Sequence, residues 1–196
     1  MMQPGDATSP QLSEENLRQL AAARVGQRKI NRAVSIARFD GWTLGFFGGF
    51  TLLLGFTDIS CILIGSALCV IAFVELKGAN KLSKLDPASL RMLMYNQLVL
   101  AGLLLIYSVW SLHAGLSGGQ LGDLNVDDPQ VAQALAPYAG LGGAINVILY
   151  GGLILVAIFG QGGLAFYYFT RQRALRNYVE TTPKWILDMQ AAGIKL

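Results

Sequence analysis

The sequence predicts an all-α integral membrane protein. Four transmembrane helices form a bundle of two helical hairpins, with a basic N-terminal cytoplasmic helix and a short amphipathic C-terminal helix. Three observations carry this expectation. First, charge is withdrawn from long stretches. Residues 41–74 hold only Asp58, residues 92–122 hold none apart from His113, and residues 129–170 hold none. Apolar runs of that length can cross a bilayer. Second, the chain is 14% charged and 53% hydrophobic, with a mean hydropathy of +0.46, against about 25% charged in a typical soluble domain. Third, all fifteen Lys and Arg fall in three blocks, before the first span, between the second and third, and after the fourth. The intervening loops carry only Asp58, Asp123, Asp127 and Asp128. One-sided Lys and Arg place both ends in the cytoplasm, in a cell membrane of the bacterial inner type. The cytoplasmic side holds fifteen basic and eight acidic residues, or +7, and the outer loops −4. The net +3 therefore records topology and is no nucleic-acid footprint.

In chain order, residues 1–11 read as a disordered tail, with no cleavable signal peptide visible. Residues 12–39 read as a basic cytoplasmic or interfacial helix. Ser13 supplies its cap, and Glu14 and Glu15 complement the dipole of its first turn. Its apolar positions do not gather on one clean face, which favours a solvated helix over adhesion to an anionic lipid surface. The membrane domain occupies residues 40–170, with spans at about 41–56, 59–74, 95–114 and 140–169. Asp40-Gly41 reads as a helix boundary. The first two spans are short, so a re-entrant hairpin is the alternative to full crossing. It would leave Asp58 in hydrocarbon at a cost of several kcal/mol. Gly78 suits a helix end. Asp86-Pro87, Asp128-Pro129 and Thr182-Pro183 are cap-plus-proline helix starts. The second of these predicts a short helix over residues 129–135. The third opens a C-terminal helix within the cytoplasmic extension, residues 171–196, suited to lying in the interface plane.

Glycine spacing points to helix packing. Gly41, Gly45, Gly48 and Gly55 recur at steps of four, three and seven on the first span. Gly140, Gly151 and Gly162 recur every eleven residues on the fourth, close to three full turns. Small residues let helix backbones approach in lipid, where no hydrophobic drive exists between helices. A polar arc of Asn146, Tyr150, Gln161 and Tyr168 on the fourth span, with Asn96 and Gln97 on the third, serves either interhelical hydrogen bonds or the lining of a path. Glu75 lies at the end of the second span, within reach of water, Lys77 or Lys81.

The catalytic repertoire is thin. The single histidine, His113, cannot supply bis-histidine haem ligation. No His, Cys and carboxylate spacing suits a metal, no phosphate-binding loop is present, and no acid appears at mid-span for ion coupling. The expected function is therefore non-catalytic and cofactor-free. It is association in the bilayer, as an accessory, assembly or anchoring subunit of a homo-oligomer or of a complex with other membrane subunits. The alternative is an oligomeric channel or small-solute permease lined by the third and fourth spans.

Overall fold

The computed structural model describes residues 13–55, 59–117, 139–192 and 194. Asp58, the acidic segment 118–138 and with it the helix expected over residues 129–135 lie outside the described residues. All regular structure among those described is helical. The elements are α1 (Glu14–Leu54), α2 (Ile59–Ser83), α3 (Ala88–Ser117), α4 (Ala139–Leu155), a π-helical turn (Val156–Gln161), α5 (Gly162–Thr181) and α6 (Lys184–Ala191). Among the described residues, three stretches are long and apolar enough to cross a membrane: Ile59–Ser83, Ala88–Leu116 and the continuous Gly143–Thr181.

α1 is one helix of 41 residues. Its start is capped as the sequence predicts, the Asn16 amide donating to Ser13 Oγ at 3.2 Å. It does not break at Asp40-Gly41, where the sequence suggests a boundary. Its buried positions are Ala23, Ile30, Ala33, Val34, Ala37, Gly41 and Gly48, at steps of three, four and seven apart from the adjacent Ala33 and Val34. Five of these seven are alanine or glycine, so the inward stripe is invisible to a search for large apolar residues. Leu17, Val25, Phe39 and Trp42 point outward instead.

The apolar half of α1 packs along α2 as an antiparallel seam of small residues. A Cβ added at Gly41 would meet Leu76, at Gly45 Ala72, at Gly48 Cys69, and at Gly55 Ile62, while one added at Gly65 would meet Leu52. The partners advance by alternating steps of three and four on both helices, the spacing of a coiled-coil interface. At Gly65 the added atom would lie 2.8 Å from the Leu52 amide nitrogen and 3.0 Å from the Gly48 carbonyl oxygen. Backbone meets backbone there, and only glycine fits.

α2 also continues through Gly78, read from sequence as a helix end. Gly78 is buried, and a Cβ on it would stand 2.6 Å from Leu93 of α3. The glycine clears space for a crossing helix. α2 stops instead at Ser83, with the Asp86 amide bonded to the Lys81 carbonyl and the Leu85 amide to that of Leu82. Leu85 carries φ 61°, the left-handed position of this helix-ending motif. Asp86 then caps α3, accepting from the Ala88 amide at 2.9 Å.

The main buried core lies at the basic end of the bundle. Ala23, Ile30, Val34, Leu82, Leu90, Leu93, Tyr168, Leu175 and Tyr178 meet there, with Ile186 of α6. α6 begins one residue later than the cap-plus-proline signal implies, with Pro183 itself at the cap position. It docks on this core. Ile186 is fully buried, and Trp185 Nε1 donates to Gln19 Oε1 at 3.3 Å.

Candidate functional site: a buried carboxylate, amide and phenol cluster

Four helices bring polar side chains together where the basic end meets the apolar spans. Glu75 shares a face of α2 with Ile71, Ala72, Gly78, Ala79 and Leu82, all buried. That face turns toward α3 and α5. Lys77 and Lys81, two and six positions on, leave the helix in other directions. Glu75 is therefore fully buried, a correction to its reading as a water- or lysine-facing group. Its Oε2 accepts from Asn96 Nδ2 at 2.7 Å, and its Oε1 accepts from the Tyr168 hydroxyl at 3.0 Å. Asn96 Nδ2 also donates to the Ile71 carbonyl at 3.1 Å. One amide thus ties α3 to both backbone and side chain of α2.

The neighbouring residue on α3, Gln97, donates from Nε2 to Asp40 Oδ2 of α1 at 2.6 Å. Gln97 is fully buried, and its Oε1 has no hydrogen-bond partner. Among the described residues, no Lys or Arg nitrogen lies within 4.0 Å of either Asp40 or Glu75. Two carboxylates are thus held by two amides and a phenol with no cation alongside. Buried charges ordinarily need both pairing and hydrogen bonding. Here hydrogen bonding alone meets that need, with two donors from one turn of α3 and the third from α5. The cluster holds α1, α2, α3 and α5 in one register. It leaves one spare acceptor, the Gln97 carbonyl oxygen. Among the described residues, no group of three or more His, Cys, Asp or Glu is placed to hold a metal ion.

The sequence-selected residues divide into separate groups. Asn96, Gln97 and Tyr168 belong to the cluster. Tyr150 stacks edge-on with Tyr107 of α3, ring centroids 5.8 Å apart, and Asn146 lies where Gly115 of α3 leaves room. Gln161 ends the π turn, with Oε1 buried and unpartnered. The glycines divide as well. Gly41, Gly45, Gly48 and Gly55 face α2. Gly151 and Gly162 have nothing within 4 Å of an added Cβ, nor do Gly143, Gly152 and Gly163. Gly140 lies in the first turn of α4, and its surroundings lie outside the described residues. The π turn widens the helix between Gly151 and Gly162, so an eleven-residue step there no longer closes on three whole turns. The open glycines form two short pairs, at 151–152 and 162–163, either side of that turn.

Sequence reasoning missed Asp40 and Glu75 as partners. The one available signal was an acid immediately beside an apolar span on each of two consecutive helices, with adjacent Asn and Gln opening the third.

Fold and site together define an all-helical protein with three helices able to cross a membrane, tied at their basic end by a carboxylate cluster. No family model matches the chain, and comparisons with curated proteins and with solved structures returned no match.

Proposed function

We propose that this chain is a four-span membrane protein with cytoplasmic termini, and that its work is association. It serves as a non-catalytic accessory, assembly or anchoring subunit, pairing with further copies or with other membrane subunits. The observation that carries this reading is the contrast between the two glycine sets. Gly41, Gly45, Gly48 and Gly55 of α1 are met by α2, whereas Gly151, Gly152, Gly162 and Gly163 have nothing within 4 Å of an added Cβ among the described residues. A small-residue face left open in lipid admits a second helix to backbone distance, where dispersion and weak backbone contacts hold it.

The four-span reading adds α1 to the three longer stretches. Its apolar part, residues 41–54, runs beside α2 and reaches the level where α2 begins. α2 rises about 24 Å from Ile59 to Glu75, which sets the carboxylate cluster near the inner edge of a hydrocarbon core of about 30 Å. Basic residues of α1, α2, α3, α5 and α6 gather at that same end. A channel lined by Asn96, Gln97 and Tyr168 fits less well, because each of them donates to a carboxylate inside the bundle.

The test is the oligomer distribution of Gly151→Leu and Gly162→Leu in mild detergent, by size-exclusion chromatography with light scattering. Neither substitution meets a neighbour among the described residues, so thermal stability of the protomer stays near wild type while the larger species dissociate. An unchanged distribution in both variants, or a protomer that loses its fold, overturns the reading. Flux of potassium, chloride or small neutral solutes through liposomes holding the protein alone would support the channel instead.

A further inference from the structure

Below the cluster, α1 and α5 separate to form a cleft of about 550 Å³. Its floor is apolar, made by Leu82 of α2 and Leu90 of α3. Two cations look into it, Lys29 from α1 and Arg171 from α5, and no acidic side chain lines it. The Arg171 guanidinium lies 5.0 Å from the centre of the Tyr167 ring, and its Nε, closed off from solvent, has no hydrogen-bond partner. Asn177 adds an amide to the same wall. The volume falls within the range of small-molecule pockets.

We infer that this cleft is a binding site for the phosphate group of an anionic lipid. Arg171 and Lys29 take the phosphate oxygens, and the alanine and leucine walls take the adjoining apolar part. A guanidinium recognises phosphate with paired N–H donors, and a lysine adds a point charge. Arg171 lies three residues, about 4.5 Å, beyond Tyr168 along α5. That is headgroup depth if Tyr168 marks the inner edge of the hydrocarbon. The lipid source therefore rests on the membrane reading above, whereas the anion site rests only on the cleft and its charges.

The experiment measures binding to the purified full chain in neutral detergent, by thermal shift and by native mass spectrometry. Three probes are used: phosphatidylglycerol, phosphatidylcholine and inorganic phosphate. Phosphatidylglycerol is expected to stabilise the protein and remain bound in the mass spectrum, with the other two weaker by about tenfold or more. Arg171→Gln with Lys29→Gln is expected to lower that affinity at least about tenfold. Arg24→Gln with Arg173→Gln removes the same charge from exposed positions outside the cleft and is expected to leave it unchanged. Ala174→Phe narrows the cleft without touching a charge and is expected to weaken binding, which keeps the test decisive if the double charge variant is unstable. Equal losses in the two charge pairs would reduce the effect to general surface attraction and overturn the site. Inorganic phosphate binding as tightly as phosphatidylglycerol would keep the anion site and overturn the lipid. Phosphatidylcholine matching phosphatidylglycerol would overturn the role of both cations.

Discussion

Substituting alanine at Gly65 probes the closest approach in the molecule. The added Cβ would stand 2.8 Å from the Leu52 amide nitrogen and 3.0 Å from the Gly48 carbonyl oxygen, so against ordinary contact at 3.4 Å the shortfall reaches about 0.6 Å. Both atoms are backbone, and no rotamer change relieves the overlap. α1 and α2 must move apart over the seam, breaking contact at Gly48 with Cys69 and at Gly45 with Ala72 as well. Overpacking costs about 1–3 kcal/mol, and with two backbone atoms overlapped the upper part of that range, about 2–3 kcal/mol, applies. Alanine recovers at most about 1 kcal/mol of helix propensity, leaving a net loss of about 1–2 kcal/mol. Gly49 is the matched control, one residue from Gly48 on the same helix, with nothing within 4 Å of an added Cβ. Gly49→Ala keeps the propensity gain without the overlap. At about 2–4 °C per kcal/mol for a chain of this size, Gly65→Ala melts about 2–8 °C below wild type, and Gly49→Ala melts at or slightly above it. Thermal unfolding in mild detergent, followed by tryptophan fluorescence and circular dichroism, measures both. A Gly65→Ala protein as stable as wild type, or a Gly49→Ala protein that falls as far, would refute the packing of α1 on α2.

The cluster predicts strong coupling between α2 and α3: Asn96→Leu strips the Glu75 carboxylate of one of its two donors and costs about 3 kcal/mol, whereas Asn96→Leu combined with Glu75→Leu recovers much of the loss. Additive losses in that double-mutant cycle would sink the coupling. Tyr168→Phe removes a single hydrogen bond and is expected to cost about 1–2 kcal/mol in the same melts; a change within error would mean that the 3.0 Å contact to Glu75 carries no weight. For topology, Ser117→Cys is expected to react with a membrane-impermeant thiol reagent on intact cells, and Ser83→Cys only after lysis, both in a background lacking Cys61 and Cys69. The reverse pattern would invert the orientation.

The glycine seam on α1 was legible in the sequence because its 4, 3 and 7 spacing is local. Its complement on α2 was equally available, since Ile62, Gly65, Cys69, Ala72 and Leu76 follow the mirrored 3, 4 spacing. The inward stripe of the basic half of α1 was harder to see. It is written largely in alanine, which carries little hydropathy yet allows close packing. Gly78 misled for the opposite reason. Glycine marks helix ends and helix crossings alike, and the choice depends on whether another helix, here α3 with Leu93, arrives at that point.

The sequence by itself determined the helical class, three of the four apolar stretches it marked as spans, the capping of α1 and α3, and the gathering of every basic residue into blocks flanking those stretches. Each is a property of composition, period or immediate neighbours, and survives whatever the rest of the chain does. Tertiary structure alone decided the fate of Asp40 and Glu75. Their donors lie far along the chain, 57 residues from Asp40 to Gln97 and 93 from Glu75 to Tyr168. A carboxylate beside an apolar span can turn to water or inward, and the same residue satisfies both patterns. Only the assembled bundle supplies the donors that offset its desolvation, two for Glu75 and one for Asp40, and so only the bundle fixes which way each turns.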